Sequence, residues 1–424
     1  MIAGRFRRPF ARYWLSGFLA DFGDGVRLAA FPLLAAQLTR SPVAVAAVTA
    51  VQDLPWLLVG AGLGVIVDRA DRRRLMIMVD ITRAVIIAAL AAAVLAHGAG
   101  LVLIYLTAFT TGAGSALRDT AALTCVPRLV ESADLDRANG RVIAGQIVGN
   151  ELAGPAAGGW LFGLAAVLPF AVSAGTLGIA VLLLLTLPSV FRPVPTGPAR
   201  QEPVSSLAAL RHDLGEGARW LWRHPGIRDV TIAAGVISAM DAAWIAVLVL
   251  YVIQILHLKP GAYGLLLAVA ALGGIAAGGL GPRLTRHLGP WRSLLLAGLV
   301  MAVTQAVLGL TASVIIAAGM LFASSAAWAL FNLTVVTMRQ RQVPAALLGR
   351  VTSLYGTAWR GSEVLGAIGG GALAAAAGIR APMLAGAIPI AGVITLLAWR
   401  HRTRDLPAKN GSPDHPPSAM TTRG

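Results

Sequence analysis

Long apolar runs, broken at nearly regular intervals by short charged clusters, repeat along the chain from residue 10 to residue 399. Three stretches, 84–117, 152–191 and 293–338, contain no charged residue and are each long enough for two membrane-length helices with a tight turn between them. Charged punctuation separates the other runs. Together they predict helices over 10–36, 43–67, 75–96, 101–121, 138–162, 165–187, 227–256, 261–282, 291–311, 314–338, 349–375 and 379–399. Residues 188–226 interrupt the pattern with Pro193, Pro195 and Pro198, followed by Leu207, Leu210, Leu214 and Leu221 at helical spacing. This stretch reads as a cytoplasmic linker with an amphipathic surface helix. Residues 400–424 are polar and rich in Pro and Ser, and read as a disordered cytoplasmic tail. The predicted units are therefore 1–187, 188–226, 227–399 and 400–424, an all-α membrane protein of twelve transmembrane helices in two six-helix bundles.

Composition supports the membrane assignment. Of 424 residues, 57% are hydrophobic and only 13% charged, too apolar for a water-soluble domain. The net charge of +16 raises the question of nucleic-acid binding, but its distribution answers it. When the loops alternate between two sides, 28 Lys and Arg fall on one side and three, Arg40, Lys259 and Arg380, on the other; four more lie in or at the ends of spans. The positive-inside rule then puts both termini in the cytoplasm. Asp21 and Asp24 interrupt the first apolar run and no small-residue cleavage pattern follows, so the first span reads as uncleaved. Cys125 is the only cysteine, the seven histidines are scattered, and neither Lys259 nor Lys409 follows a phosphate-binding glycine frame. No metal, cofactor or nucleotide-hydrolysing site is expected.

The two halves resemble each other. A shift of 217 residues superposes Asp24 on Asp241, Gly62 on Gly279 and Gly64 on Gly281, and a shift of 212 superposes Glu151 on Glu363, Gly154 on Gly366 and Gly158 on Gly370. A parallel repeat of this kind is an architecture in which two halves rock about a site at the membrane midplane.

After the second span comes Gly64-Val-Ile-Val-Asp68-Arg69-Ala-Asp71-Arg72-Arg73-Arg74. It resembles the G-x-x-x-D-R-x-G-R-[KR] loop of the major facilitator superfamily, with Asp71 in place of the second glycine. Gly154-Pro155-Ala-Ala-Gly158-Gly159 resembles the GPxxGG motif of the fifth span of antiporters in that superfamily, although Asn150 stands where an earlier glycine is usual. Gly23-Asp24-Gly25, Gln52-Asp53-Leu54-Pro55, Pro127-Arg128-Leu129-Val130 and Arg137-Ala138-Asn139 are similar to the branch containing the enterobactin exporter and macrolide-efflux permeases. The resemblance implies a cytoplasmic gate at Gly64, Asp68, Arg69, Arg72 and Arg73, and a helix bend at Gly154, Pro155, Gly158 and Gly159. An arginine within the fourth span, found in many proton antiporters, is missing between Leu101 and Leu117, and Leu117-Arg118-Asp119-Thr120 replaces the usual F-x-P-A.

Ionisable groups within the bilayer are costly and mark sites of function. Asp24, Asp241, Glu151 and Glu363 are the proton-coupling candidates, and the superfamily's cavity-lining first and seventh spans would set Asp24 and Asp241 face to face. The competing reading pairs Asp24 with Arg27 and Glu363 with Arg360, each three residues away on one helical face. Asp80-Arg83 and Arg118-Asp119 fall near cytoplasmic ends and are assigned a structural role. Asp21, Arg27, Gln146, Asn150, Trp244, Tyr251, Trp328, Asn332, Trp359 and Arg360 are candidates for a substrate cavity, because aromatic walls with a few polar groups suit an amphiphilic compound. The resemblance implies a monomeric secondary transporter, not an enzyme, that exports a small amphiphilic drug or siderophore-like metabolite by alternating access against inward proton flow. A uniporter, an importer and a lipid-modifying membrane enzyme are the alternatives; the last would need a histidine–carboxylate constellation that the sequence lacks.

Overall fold

In the computed structural model every described segment of regular structure is helical, and the breaks fall at prolines, glycines and polar turns. The structure describes residues 3–123, 125–126, 129–131, 134–187, 215–216 and 218–405; for Gly64, Asp68 and Arg69 it describes the backbone alone. The first set of helices is α1 (Ala3–Leu38), α2 (Pro42–Arg69), α3 (Arg72–Leu95), α4 (Leu101–Leu123), α5 (Leu135–Gln146), α6 (Gly154–Leu164) and α7 (Leu168–Leu185). The second is α8 (Pro225–Ile245), α9 (Pro260–Leu288), α10 (Pro290–Leu310), α11 (Val314–Gln342), α12 (Ala345–Ala377) and α13 (Ala381–Asp405). Eight helices among the described residues are long and apolar enough to cross a membrane.

Local chemistry sets the boundaries. Helices α2, α8, α9 and α10 carry proline in the first turn, where its missing N–H has no intrahelical role. Ser41 caps α2 by accepting from the Ala44 N–H, and Asp71 caps α3 by accepting from Arg73 and Arg74 N–H at 3.1 Å each. The carboxylate that replaces the loop motif's second glycine is thus a helix cap. Gly289 and Gly378, at φ +79° and +92°, end α9 and α12 in a conformation that side chains oppose.

Two predicted helices are irregular. The expected span 138–162 is α5, then a π-helical segment Ile147–Ala153, then α6. Pro155 offers no N–H to the Glu151 carbonyl, and the Gly154 N–H reaches back five residues to Gly149 instead. The expected span 227–256 is α8, a break at Ala246–Val247, a turn Leu248–Leu250 and a second π segment, Tyr251–Ile255. Other differences lie outside the spans. The helix α13 continues to Asp405, past the predicted start of the tail at residue 400, because Arg400 donates to Asp229 of α8 at 2.9 Å. Of the predicted linker, Trp220 and Leu221 are described and pack against the second set, while Leu207, Leu210 and Leu214 lie outside the described residues.

Each set packs chiefly within itself, and the sets meet mainly where α2 runs against α12 and α6 against α9. Successive helices reverse direction, so one face of the molecule carries Ala3 and Asp405 (the terminal face) and the opposite, distal face carries Leu38 and Pro42. Contacts between the sets concentrate toward the distal face. A Cβ built on Gly159 would lie 2.7 Å from the Gly264 amide nitrogen, and one on Gly371 would lie 2.7 Å from the Ala46 Cβ. Backbones that approach this closely leave no room for side chains, which is how helices gain contact in lipid. The apolar interior follows the same division. Phe31, Leu34 and Val45 join Leu248, Tyr251, Tyr263, Leu308 and Met383 in one cluster that spans both sets. Toward the terminal face there are two separate clusters, one around Tyr13, Met76 and Leu184 and another around Val230, Phe331 and Leu397.

Gly159→Val should therefore wedge α6 away from α9 and cost about 1–3 kcal/mol. Denaturant unfolding of the purified protein in detergent would measure the loss, and an unchanged midpoint would contradict the tight distal seam.

Candidate functional site

Three helices of the first set each carry polar partners three residues apart: Asp24 and Arg27 on α1, Asp80 and Arg83 on α3, Ser115 and Arg118 on α4. Such spacing places both members on one face, and these faces converge. Asp24 accepts from the guanidinium groups of Arg27 and Arg83, and from Ser115 Oγ at 2.9 Å. Arg118 Nε lies 2.9 Å from both oxygens of Asp80, while its Nη2 donates to the Ser16 carbonyl at 3.2 Å. Arg27 Nε donates to Ser173 Oγ at 3.2 Å, and Ser173 in turn donates to the Gly23 carbonyl at 2.9 Å. Gly114 makes room for Arg83, whose Cδ would lie 2.5 Å from a Cβ there. The three arginines and Asp80 are buried to within 4% of complete, so the network is internal to the helix set. Asp21 and Asp119 stand within electrostatic reach of Arg118 but make no hydrogen bond or ion pair among the described residues.

The second cluster lies where α2, α8 and α12 come together. Glu363 accepts from Trp359 Nε1 at 2.7 Å and from Arg360 Nη1 at 3.0 Å. Arg360 lies over the Trp56 ring of α2, 5.4 Å from its centroid, and so bridges the two sets. Asp241 accepts from Trp244 Nε1 at 3.0 Å and has no cationic partner among the described residues. Trp328 of α11 meets Trp359 edge-on at 4.9 Å, and Tyr355 meets Trp359 at 5.5 Å.

Set against the sequence expectations, the pairs Asp24–Arg27 and Glu363–Arg360 are both present. Asp24 and Asp241 do not meet in this conformation: Asp24 turns toward α3 and α4, where Arg83 and Ser115 hold it together with Arg27 of its own helix, and Asp241 turns toward Trp244. Arg27 and Tyr251, expected on a cavity wall, are interior instead. Arg27 is 2% exposed within the ion-pair network, and the fully buried Tyr251 donates to the Thr311 carbonyl at 3.1 Å. Trp244 is also buried, whereas Asn150, Trp328, Asn332 and Trp359 are half-buried. Glu151 and Gln146 are exposed, the former on the π segment. Gly154, Pro155, Gly158 and Gly159 are buried at the α6 contacts with α1 and α9. In the loop motif, Arg73 donates to the Leu184 and Leu185 carbonyls at 2.8 and 2.7 Å, tying α3 to the end of α7. Arg72 opens α3, and the side chains of Asp68 and Arg69 lie outside the described residues.

Sequence reasoning underrated Asp80, Arg83, Arg118 and Asp119. α4 extends to Leu123, two residues past the predicted 101–121, and Arg118, expected near its cytoplasmic end, reaches across to Asp80 of α3. The three-residue spacing and the apolar flanks of Asp80-Arg83 were the available signals. Two clefts, of about 510 and 370 Å³, open near the distal face beside Gln254 and Arg380 and beside Gln37 and His97, away from both charge clusters.

Asp24→Asn should destabilise the protein by about 3–5 kcal/mol, because it leaves buried Arg27 without its carboxylate and buried Arg83 with only a 3.5 Å contact to Asp80. Adding Arg83→Gln should recover part of that loss. Thermal unfolding of the single and double variants tests the pairing, and additive losses would contradict it.

Comparison with known proteins agrees with this architecture. The chain matches the family described as transmembrane secretion effector over residues 5–421. It is 27% identical over 417 residues to the multidrug efflux pump Tap of Mycolicibacterium fortuitum, covering 95% of this chain and 98% of Tap. It is 27% identical over 401 residues to the enterobactin exporter EntS of Citrobacter koseri, covering 91% and 89%. Among solved structures, the nucleoside transporter NupG superposes with a TM-score of 0.71 at 14% identity, over 93% of this chain and 98% of NupG. A bacterial homologue of the iron transporter ferroportin, in its inward-facing state, superposes with a TM-score of 0.72 at 17% identity, over 92% and 98%. With the loop motif, the paired intramembrane charges and a match along nearly its whole length, the chain belongs to the transmembrane secretion effector family of the major facilitator superfamily.

Proposed function

We propose that this protein is a secondary exporter of small amphiphilic organic compounds, with twelve transmembrane helices in two six-helix bundles that rock about a midplane site. It sits in the bacterial cytoplasmic membrane with both termini inside, acts as a monomer and draws on inward proton flow. The observation that carries the reading is the division of the apolar interior, continuous across both helix sets at the distal face and split at the terminal face. An interior closed at one end and parted at the other is one of the two states that alternating access requires. Both curated relatives compared above are named as exporters, which supports the outward direction.

The charge clusters divide the work. Asp24 and Asp80 are saturated by arginines, so they stabilise the first bundle. Asp241 is held by one indole N–H and no cation, and it sits close enough to Glu363 for the two charges to interact. A carboxylate so lightly held can lose or gain a proton without breaking an ion pair, which makes Asp241 the coupling residue and Glu363 its modulator. The cytoplasmic gate falls to the Asp68–Arg69 loop.

Proteoliposomes with an imposed pH gradient, loaded with ethidium or Nile red, test this directly. Flux should follow the gradient, and Asp241→Asn should lower gradient-driven flux by about a hundredfold while dye exchange without a gradient persists. Gradient-insensitive flux would remove proton coupling, and no movement of either dye would remove export of such amphiphiles.

A further inference from the structure

Helices α11 and α12 do not pack backbone to backbone, yet their side chains meet twice across the space between them. Midway, Trp328 meets Trp359; nearer the terminal face, the Arg339 guanidinium lies over the Tyr355 ring, 4.2 Å from its centroid. Trp328, Asn332, Val335 and Arg339 recur every three or four residues along α11, and Tyr355, Trp359 and Glu363 every four along α12. The result is an aromatic strip with a cation at one end and the Glu363–Arg360 pair at the other.

The cation is unusual. Arg339 is only 8% exposed, and its Nε and Nη1 atoms are buried with no hydrogen-bond partner among the described residues; the Tyr355 hydroxyl, in a side chain 7% exposed, is likewise buried without one among them. A buried cation without a counter-ion is strongly unfavourable, and the facing ring offsets only part of that cost. The stacked guanidinium spends its face on the ring and leaves the in-plane N–H groups of Nε and Nη1 unused. Three unspent polar atoms therefore lie on one stacked pair of side chains from two helices: Nε and Nη1 of Arg339, and Oη of Tyr355.

We infer that Arg339 and Tyr355 form an anion-recognition subsite, which binds the carboxylate or phenolate of an acidic aromatic compound whose ring lies against Trp359 and Trp328. The inference rests on the exporter reading and narrows its substrate class from amphiphiles in general to aromatic acids. Arg339 supplies two donors to the anion and Tyr355 a third. The aromatic wall favours a ring-bearing acid over the phosphate of an anionic lipid, whose acyl chains would find no matching stack.

The test is calorimetric titration of the full chain, held in phosphatidylcholine nanodiscs, with naphthoate and with its neutral counterpart naphthamide. Naphthoate should bind and naphthamide should bind only weakly. Arg339→Gln should weaken naphthoate by about tenfold to a hundredfold and leave naphthamide unchanged, and Arg339→Lys should fall in between. Removing an uncompensated cation should leave the thermal midpoint unchanged or raised, which separates lost recognition from lost fold. Tyr355→Phe keeps the ring and removes only the hydroxyl, and a loss of about threefold is expected from it. Equal naphthoate affinity in the wild type and in Arg339→Gln, or no naphthoate binding by the wild type, would overturn the subsite. So would phosphatidylglycerol nanodiscs that block naphthoate through Arg339, since the occupant would then be a lipid headgroup. Dye flux without naphthoate binding sinks the subsite and leaves export standing; Arg339-dependent binding without flux of any compound does the reverse.

Discussion

An ion inside a lipid-surrounded helix bundle persists only if another group answers its charge, and the rest of this molecule is arranged around how unevenly that is achieved. In the first helix set the answer is complete for Asp24 and Asp80, which three arginines from α1, α3 and α4 enclose with serine hydroxyls filling the remaining positions. These helices are pinned to one another by directional contacts, so they move as a body. In the second set the charges are sparser and lightly held: Asp241 on one indole, Glu363 on an indole and a half-exposed arginine, Arg339 on a ring face. Charge that is poorly answered within the protein is charge available to a proton or a ligand. In the proposed exporter, this asymmetry would make the first set mainly a scaffold and leave most of the exchange chemistry to the second.

The seam between the sets obeys a different constraint. Lipid offers apolar side chains as good a home as a neighbouring helix does, so association depends on close backbone approach. Gly159 against Gly264, and Gly371 against Val43 and Ala46, provide it at the distal face. Contacts of this kind are short-ranged and non-ionic, and parting them separates no buried charges. Arg360 over Trp56 is the exception that crosses the seam near the second charge cluster. In the proposed cycle, opening the distal face would disturb glycine contacts and a shared apolar cluster and leave the ion-pair network inside the first set intact.

The π segments add local adaptability where the seam needs it. Ile147–Ala153 lies beside α1, with Gly149 and Gly154 pressed against Phe22 and Gly25, and Tyr251–Ile255 belongs to the distal apolar cluster. A π turn inserts a residue into the helical register and weakens the regular hydrogen-bond ladder. Ile147–Ala153 therefore joins α5 to α6, whose relative angle can change more cheaply than within an unbroken helix, while Tyr251–Ile255 closes its span before α9.

Reading the residues in order was enough to locate the helical runs, because twenty apolar residues between charged clusters have few other folds available in lipid. The Gly64 to Arg74 loop and the Gly154-Pro155 motif were equally legible, since their chemistry is local, and so were the pairs Asp24–Arg27 and Arg360–Glu363, fixed by helical periodicity alone. Partners from other helices were not legible. That Asp24 turns toward Arg83 and Ser115 rather than Asp241, that Arg118 belongs with Asp80, and that Tyr251 is interior depend on how helices rotate about their axes when they pack. Periodicity defines a helix face but leaves open which neighbour that face meets, and only the assembled tertiary structure decides it, through close packing and the cost of leaving a buried charge unanswered.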